Sequence, residues 1–402
     1  MQTALTTALR ATHDGQNAEG ILRSCVHCGF CNATCPTYQL LGDELDGPRG
    51  RIYLIKQLLE GAPATATTRA HLDRCLTCRA CETTCPSGVR YGELLDIGRA
   101  HIELHSRRSF QANAARWLLR RILPYSTRFT PLLRTCQALR PLLPPALRAT
   151  IPMQQTASAW PVTIHKRHML LLEGCVQPSL APNINAATAR VLDRLGIRAV
   201  CVPQAGCCGA LSHHLNAIDE AHAHMRRQID ALWPFIEAGC EAIISTASGC
   251  GVHIKDYGRL LSNDSVYADK AARVAALCRD IGELLAAEDI SRLSPAPSIP
   301  RRIAFQAPCT LQHGQRLNGM IEKLLIDVGF ELTPVADAHL CCGSAGTYSI
   351  LQGTLAKRLR NNKLAALEAG APALIVTANI GCLTHLQTAS RTPVKHWIEL
   401  LA

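Results

Sequence analysis

A chain of 402 residues, 48% of them hydrophobic, has the material for two or three domains with real cores, and none of its apolar stretches reaches the roughly 18 residues that span a bilayer. Twenty cysteines without a recognisable secretory leader exclude a disulfide-stapled secreted domain and point to metal chemistry in a reducing compartment. The net charge of +11 is local: no acidic residue lies between Glu103 and Glu173, where nine arginines, Lys166 and Arg167 supply the whole excess.

Residues 1–20 read as a polar helical lead-in. The first informative stretch is Cys25-Val-His-Cys28-Gly-Phe-Cys31-Asn-Ala-Thr-Cys35-Pro36, and it returns 50 residues later as Cys75-Leu-Thr-Cys78-Arg-Ala-Cys81-Glu-Thr-Thr-Cys85-Pro86. Both copies read C-x2-C-x2-C-x3-C-P, in which three close thiolates hold one [4Fe-4S] cube and the fourth cysteine holds the other. The expected sets are Cys25, Cys28, Cys31 and Cys85 for one cluster, and Cys75, Cys78, Cys81 and Cys35 for the second. Zinc fits less well, because a tetrahedral site shows separated pairs rather than a triplet plus one. Pro36 and Pro86 turn the chain away after the last ligand. Between the copies, a turn-rich run at 42–50 precedes a helix expected over 51–60, and another is expected over 91–103. Residues 1–103 are therefore expected to form an α-helical ferredoxin domain with two [4Fe-4S] clusters. Arg49 and Arg51 either hydrogen-bond cluster sulfurs or carry surface charge.

Residues 104–166 form a basic amphipathic linker. Helical pieces are expected at 114–123 and 130–143, cut short by prolines at 124, 131, 141, 144 and 145. Basic helices carrying Trp117 resemble membrane-surface anchors, so Arg116, Arg120, Arg121 and Arg134 are candidates for docking to a membrane or partner. The alternative is a solvated linker packed on the domains it joins. No nucleic-acid motif accompanies the charge, so no nucleic-acid partner is expected.

From His168 the texture becomes α/β and a second repeat begins, giving tandem cysteine-rich units at 167–294 and 301–402 joined by a proline-rich segment. Each has a buried strand ending in cysteine (169–175; 302–309), a helix (185–195; 318–328), a Cys-Cys-Gly, and a further strand (242–250; 373–382). The cysteines, Cys175, Cys207, Cys208 and Cys250 in one unit and Cys309, Cys341, Cys342 and Cys382 in the other, fall just past the carboxyl ends of parallel strands, where open α/β sheets bind ligands. They are candidate ligands for further iron-sulfur centres or zinc. His253 and His385, each three residues after the last cysteine, are candidate fifth ligands or plain helix-start histidines. His213, His214 and His313 are candidates for proton transfer or quinone contact. Cys136, Cys201, Cys240 and Cys278 have no matched partner and read as small hydrophobes, the last two at helix ends. No dinucleotide fingerprint, phosphate loop or nucleophile elbow is found, so no catalytic residue is assigned. The pattern is that of an electron wire.

The strings Cys25-Val-His-Cys-Gly-Phe-Cys31, Leu41-Gly-Asp-Glu-Leu-Asp-Gly-Pro-Arg-Gly-Arg-Ile-Tyr53, Thr246-Ala-Ser-Gly-Cys-Gly251 and His339-Leu-Cys-Cys-Gly-Ser-Ala-Gly-Thr-Tyr348 resemble the heterodisulfide-reductase-like electron-transfer family, and within it the iron-sulfur subunits of bacterial glycolate oxidases. The resemblance implies two FAD-binding partner subunits that oxidise glycolate to glyoxylate. It also implies onward electron transfer to membrane quinone by a cytoplasmic protein, peripheral on the inner face of the inner membrane. Family members that reduce heterodisulfides carry a fifth cysteine where this chain has His253 and His385. The equivalent subunit of a lactate or anaerobic glycerol-3-phosphate dehydrogenase, or a heterodisulfide-reductase-like catalytic subunit, is the alternative.

Overall fold

The computed structural model describes residues 1–144, 148 and 150–402. The N-terminal unit is built from helices His13–Ser24, Pro48–Leu59, Ala66–Asp73 and Tyr91–His105, with no strand among its described residues. Thr12 and Thr65 cap two of these helices through their side-chain oxygens, and Pro48 opens a third at a position that needs no N–H. Their apolar faces meet in one core of Leu22, Ile55, Leu59, Leu72, Leu94, Leu95 and Ile102. Helices Pro48–Leu59 and Tyr91–His105 pack closely because Gly98 has no side chain; a Cβ there would lie 2.6 Å from Cγ1 of Ile55.

Among its described residues the basic linker carries helices Phe110–Ile122 and Ser126–Leu139, followed by a short 3-10 turn, Arg140–Leu142. Pro131 does not cut this segment as expected but sits inside the second helix. One lost backbone bond is offset there by burial of Leu133 and a 2.5 Å bond between the Thr130 and Ser179 hydroxyls. Pro145, the last of the expected breaks, lies outside the described residues.

Two four-stranded, all-parallel sheets follow. The first contains β1 (Arg167–Leu172), β2 (Ile197–Cys201), β3 (Ile243–Ser245) and β4 (Cys278–Asp280) in the order β2-β1-β3-β4. The second repeats that order with β5 (Arg302–Gln306), β6 (Glu331–Leu332), β7 (Leu374–Thr377) and β8 (Val394–His396), as β6-β5-β7-β8. Strand order reverses beside β1 and β5, which opens a crevice at their carboxyl ends. The fourth strands were not expected. Cys278, read as a helix-end residue, caps helix Ala268–Leu277 and also opens β4, fully buried.

The sheets share one continuous core that includes Ile244, Ile281, Leu285, Ile303, Ile375 and Trp397. Across their junction the Ser248 N–H donates to the Ala378 carbonyl at 3.2 Å, and His396 Nε2 donates to the Thr246 carbonyl at 2.9 Å. The Ile398 N–H donates to Nδ1 of that same imidazole at 3.4 Å, which fixes the neutral tautomer.

Candidate iron-sulfur centres

Each ferredoxin motif begins where a helix stops, Cys25 capping His13–Ser24 and Cys75 following Ala66–Asp73. The chain then takes left-handed conformations at equivalent positions: φ is 60° at His27 and 89° at Gly29, 53° at Thr77 and 60° at Arg79. Such alternation turns backbone N–H groups inward into an anion-binding concavity. The Thr77 N–H donates to Cys75 Sγ at 3.5 Å. A short helix in each copy, Phe30–Ala33 or Ala80–Thr84, then presents the third cysteine, Cys31 or Cys81.

The sets cross over in space. Cys85 lies with Cys25, Cys28 and Cys31 around one cavity, although it is 54 residues from the nearest of them, and Cys81 lines both this cavity and the next. Cys35, Cys75, Cys78 and Cys81 surround a second cavity of about 300 Å³. Burial pushes the Cys31 thiol up to about 11, with Cys25 and Cys85 adding to the rise. The Cys78 thiol is pushed well up by burial, then by Cys309, Cys35 and Cys75. Crowded, buried thiols that resist ionisation are what a cationic iron centre relieves, since a metal deprotonates its thiol ligands outright. The cavities and donor sets fit a cubane each.

The two sites differ in exposure. Cys28 is exposed, and around it Val26 is 69% and Phe30 62% accessible. The second site is enclosed by polar partners absent from the motif. Tyr91 donates its hydroxyl to Cys75 Sγ at 3.7 Å. Arg51 is wholly buried; its Nε donates to the His71 carbonyl at 2.7 Å, and its Nη2 donates to Asp46 at 3.4 Å. Burial alone would lower the Arg51 guanidinium, but Cys75, Tyr91, Cys35 and Asp46 outweigh it and keep the charge. Thus Arg51 places a fixed positive charge by the second site without a bond to sulfur. Arg49 pairs with Glu44 at 2.6 Å, and its guanidinium covers Gly29, where a Cβ would come within 2.7 Å.

In the repeats the cysteines do converge. Cys175 follows β1, Cys207 and Cys208 follow β2, and Cys250 lies in the first turn of helix Ser248–Lys255. Their thiols interact in the sequence Cys175, Cys207, Cys208, Cys250. In the second repeat Cys309 Sγ lies 3.7 Å from Cys341 Sγ, and Cys341, Cys342 and Cys382 interact in turn. The glycine of each Cys-Cys-Gly is needed for backbone reasons: φ is +88° at Gly209 and +86° at Gly343, and a Cβ would meet the Ala221 or Ala356 carbonyl at 2.9 or 2.7 Å. One asymmetry separates the repeats. Cys309 and Cys341 pack with Cys78 of the second ferredoxin site in one small apolar cluster with Leu76 and Tyr348.

The two candidate fifth ligands sit in different surroundings, and His253 Nε2 is buried without a hydrogen-bond partner. The His253 ring packs on His213 at 5.3 Å and meets the edge of Tyr257 at 5.8 Å. His385 uses Nε2 on the Ala356 carbonyl at 3.2 Å. His313 bridges the ferredoxin unit and the second repeat, binding the Thr83 hydroxyl at 2.9 Å and the His339 carbonyl at 3.0 Å. In the linker, Arg116 pairs with Asp73 at 3.4 Å and Arg120 with Glu220 at 3.1 Å. Those two candidates for docking thus hold the linker to its own chain. Arg121 lies over the Trp117 ring at 5.9 Å, and Arg134 donates to Gln137 at 3.1 Å.

Comparison with known proteins supports the same division. Residues 21–89 match the 4Fe-4S dicluster domain, and residues 169–255 and 303–387 each match the cysteine-rich domain. The chain is 56% identical over 402 residues to the glycolate oxidase iron-sulfur subunit of Escherichia coli (strain K12), covering 100% of this chain and 98% of the relative. This chain belongs to the glycolate oxidase iron-sulfur subunit family. A probable member from Bacillus subtilis (strain 168) is 30% identical over 407 residues, covering 92% of this chain and 89% of that one. Lactate utilization protein A of Bacillus licheniformis matches only 53% of this chain, at 27% identity and over 87% of its own length. As a family member with the dicluster domain, the chain carries two [4Fe-4S] clusters. Among the described residues no helix is long and apolar enough to cross a membrane.

Proposed function

We propose that this chain is the electron-transfer subunit of a glycolate oxidase complex, and that it passes electrons from two FAD-binding partner subunits, which oxidise glycolate to glyoxylate, to a membrane quinone. The observation that carries the proposal is the series arrangement of the two four-cysteine sets, one opening to solvent at Cys28 and the other enclosed against the second repeat. Cys25, Cys28, Cys31 and Cys85 hold the outer cluster, and Cys35, Cys75, Cys78 and Cys81 the inner one. Bound there, each cluster supplies a one-electron relay. The remaining residues set the terms of that relay. Val26 and Phe30 offer an apolar rim for a flavin subunit beside Cys28, Arg51 holds positive charge by the inner site, and Tyr91 donates to Cys75. The two cysteine quartets of the repeats are candidate sites for a further iron-sulfur centre or zinc, the second being the one in contact with Cys78.

The protein is assigned to the cytoplasmic face of the membrane as a peripheral subunit. Helix Phe110–Ile122 supports this by presenting Trp117 and Leu118 half exposed beside Arg121, leaving Arg121 and Arg134 rather than Arg116 and Arg120 for an anionic surface. Glycolate is favoured over lactate because the lactate-utilization relative matches about half the chain whereas the glycolate relatives match nearly all of it. Cys28→Ser in the assembled complex is expected to abolish glycolate-driven quinone reduction while glycolate still bleaches the flavin. Full quinone turnover in that variant would refute the proposal.

A further inference from the structure

Four parts of the chain meet at an open cleft that shares Cys75 and Leu76 with the inner cluster site. The ferredoxin unit contributes Cys75, Arg99 and Asp73, the linker Arg116, which pairs with Asp73, the first repeat His214, and the second repeat Leu351 beside Ala345. Cys75 is a ligand of the inner cluster in the assignment above, so any molecule in the cleft lies against that cluster's protein shell. We propose that this cleft is the binding site of the quinone that receives the electrons. The inference rests on the quinone reading given above and adds to it a location.

A quinone ring needs hydrogen-bond donors at its carbonyl oxygens, apolar surface against its faces, and a lipid-facing route for its tail. Arg99 uses Nε and Nη2 on the Leu72 and Cys75 carbonyls, at 3.3 and 2.8 Å, and Nη1 is left without a partner among the described residues. His214 supplies an imidazole, and Leu351 and Ala345 supply apolar wall. The helix that sends Arg116 into the cleft, Phe110–Ile122, turns Phe110 (86% accessible) and Trp117 (52%) outward, so a lipid-seeking face adjoins the site.

Behind His214 stand His253, at 6.3 Å between rings, and His213, at 5.3 Å from His253. His213 Nδ1 and His253 Nε2 are buried without a hydrogen-bond partner, in side chains more than nine-tenths buried. Buried imidazoles with open valences are donors and acceptors in waiting. The balance closes with what the complex provides. Oxidation of glycolate to glyoxylate releases two electrons and two protons, and reduction of a quinone to its quinol consumes two electrons, delivered singly, and two protons drawn from solvent through the cleft.

The test uses the assembled, membrane-bound complex and a short-tailed azidoquinone. Photolabelling is expected on the peptide containing Leu351 and on that containing His214. Leu351→Trp, which fills the cleft, and His214→Gln are each expected to raise KM for a short-tailed quinone about tenfold or more and to reduce labelling in step. Both should retain the cluster EPR spectrum after reduction by glycolate, which separates lost binding from lost clusters. If the wild-type complex reduces quinone but labels elsewhere, or if Leu351→Trp leaves KM within about twofold, the cleft assignment is overturned and the quinone reading stands. If the wild-type complex neither reduces nor binds quinone, both fall.

Discussion

Arg51 offers the sharpest quantitative handle on the inner cluster. It is wholly buried and keeps its charge because Cys75, Cys35 and Asp46 stand near it, yet it makes no bond to sulfur. Replacing it with methionine keeps most of the volume and removes one positive charge. At an effective dielectric of about 20, a unit charge about 8 Å away is worth about 2 kcal/mol, equivalent to about 90 mV for a one-electron couple. Loss of a nearby positive charge disfavours the reduced, more negative cluster, so the midpoint potential should fall. Asp46 keeps Arg74 at 2.8 Å and His71 at 3.0 Å, so its buried carboxylate is not left unpaired. The assay is an anaerobic EPR redox titration of wild type, Arg51→Met and the charge-preserving Arg51→Lys. One cluster should shift down by several tens of millivolts in Arg51→Met and much less in Arg51→Lys, while the other stays in place. Equal shifts of both clusters, or a shift of neither, would refute the placement of Arg51 by one cluster alone.

The crossed ligation predicts a pairing of mutant spectra: Cys85→Ser should perturb the same EPR signal as Cys28→Ser, and Cys35→Ser the same signal as Cys78→Ser. The opposite grouping would mean that each motif binds its own cluster. Gly98→Val drives a branched side chain into Ile55 and should destabilise the helical unit by about 1–3 kcal/mol or more, read as a lower thermal midpoint. An unchanged midpoint would show that the two helices have room to separate. His396 is fully buried between the repeats, and burial pulls its imidazole down to about 4 despite bonds to the Thr246 and Ala378 carbonyls. The unfolded chain takes up that proton first, so stability should fall as pH drops from about 6.5 towards 4, by up to about 1.4 kcal/mol per pH unit. Melts of wild type and His396→Gln between pH 7.5 and 5 should show a shallower slope in the variant, and parallel slopes would contradict the assignment.

What the sequence made legible was local. The spacing of Cys25, Cys28 and Cys31 is a property of one loop, and its return at Cys75 carries the same backbone conformations at 27 and 77 and at 29 and 79. The two Cys-Cys-Gly units were visible for a similar reason, since Gly209 and Gly343 answer to a left-handed φ and a close carbonyl, both fixed by neighbouring elements. What stayed hidden depends on tertiary contact. Nothing near Tyr91 marks its hydroxyl as a partner of Cys75, and nothing near Asp73 or Glu220 foretells that Arg116 and Arg120 will be used to tie down the linker. The recurrence of His253 and His385 suggested equivalent roles, but their surroundings differ: His253 packs on His213 with Nε2 unpartnered, whereas His385 binds the Ala356 carbonyl. Strands β4 and β8 are three residues long, too short for any periodicity to register.

The most direct measurement of the central claim is EPR of the anaerobic complex after glycolate is added without an acceptor, followed by addition of quinone. Glycolate is expected to reduce both [4Fe-4S] clusters, and quinone to reoxidise them within turnover. Flavin that bleaches while both clusters stay oxidised, with quinone still reduced at the normal rate, would show that electrons bypass this chain.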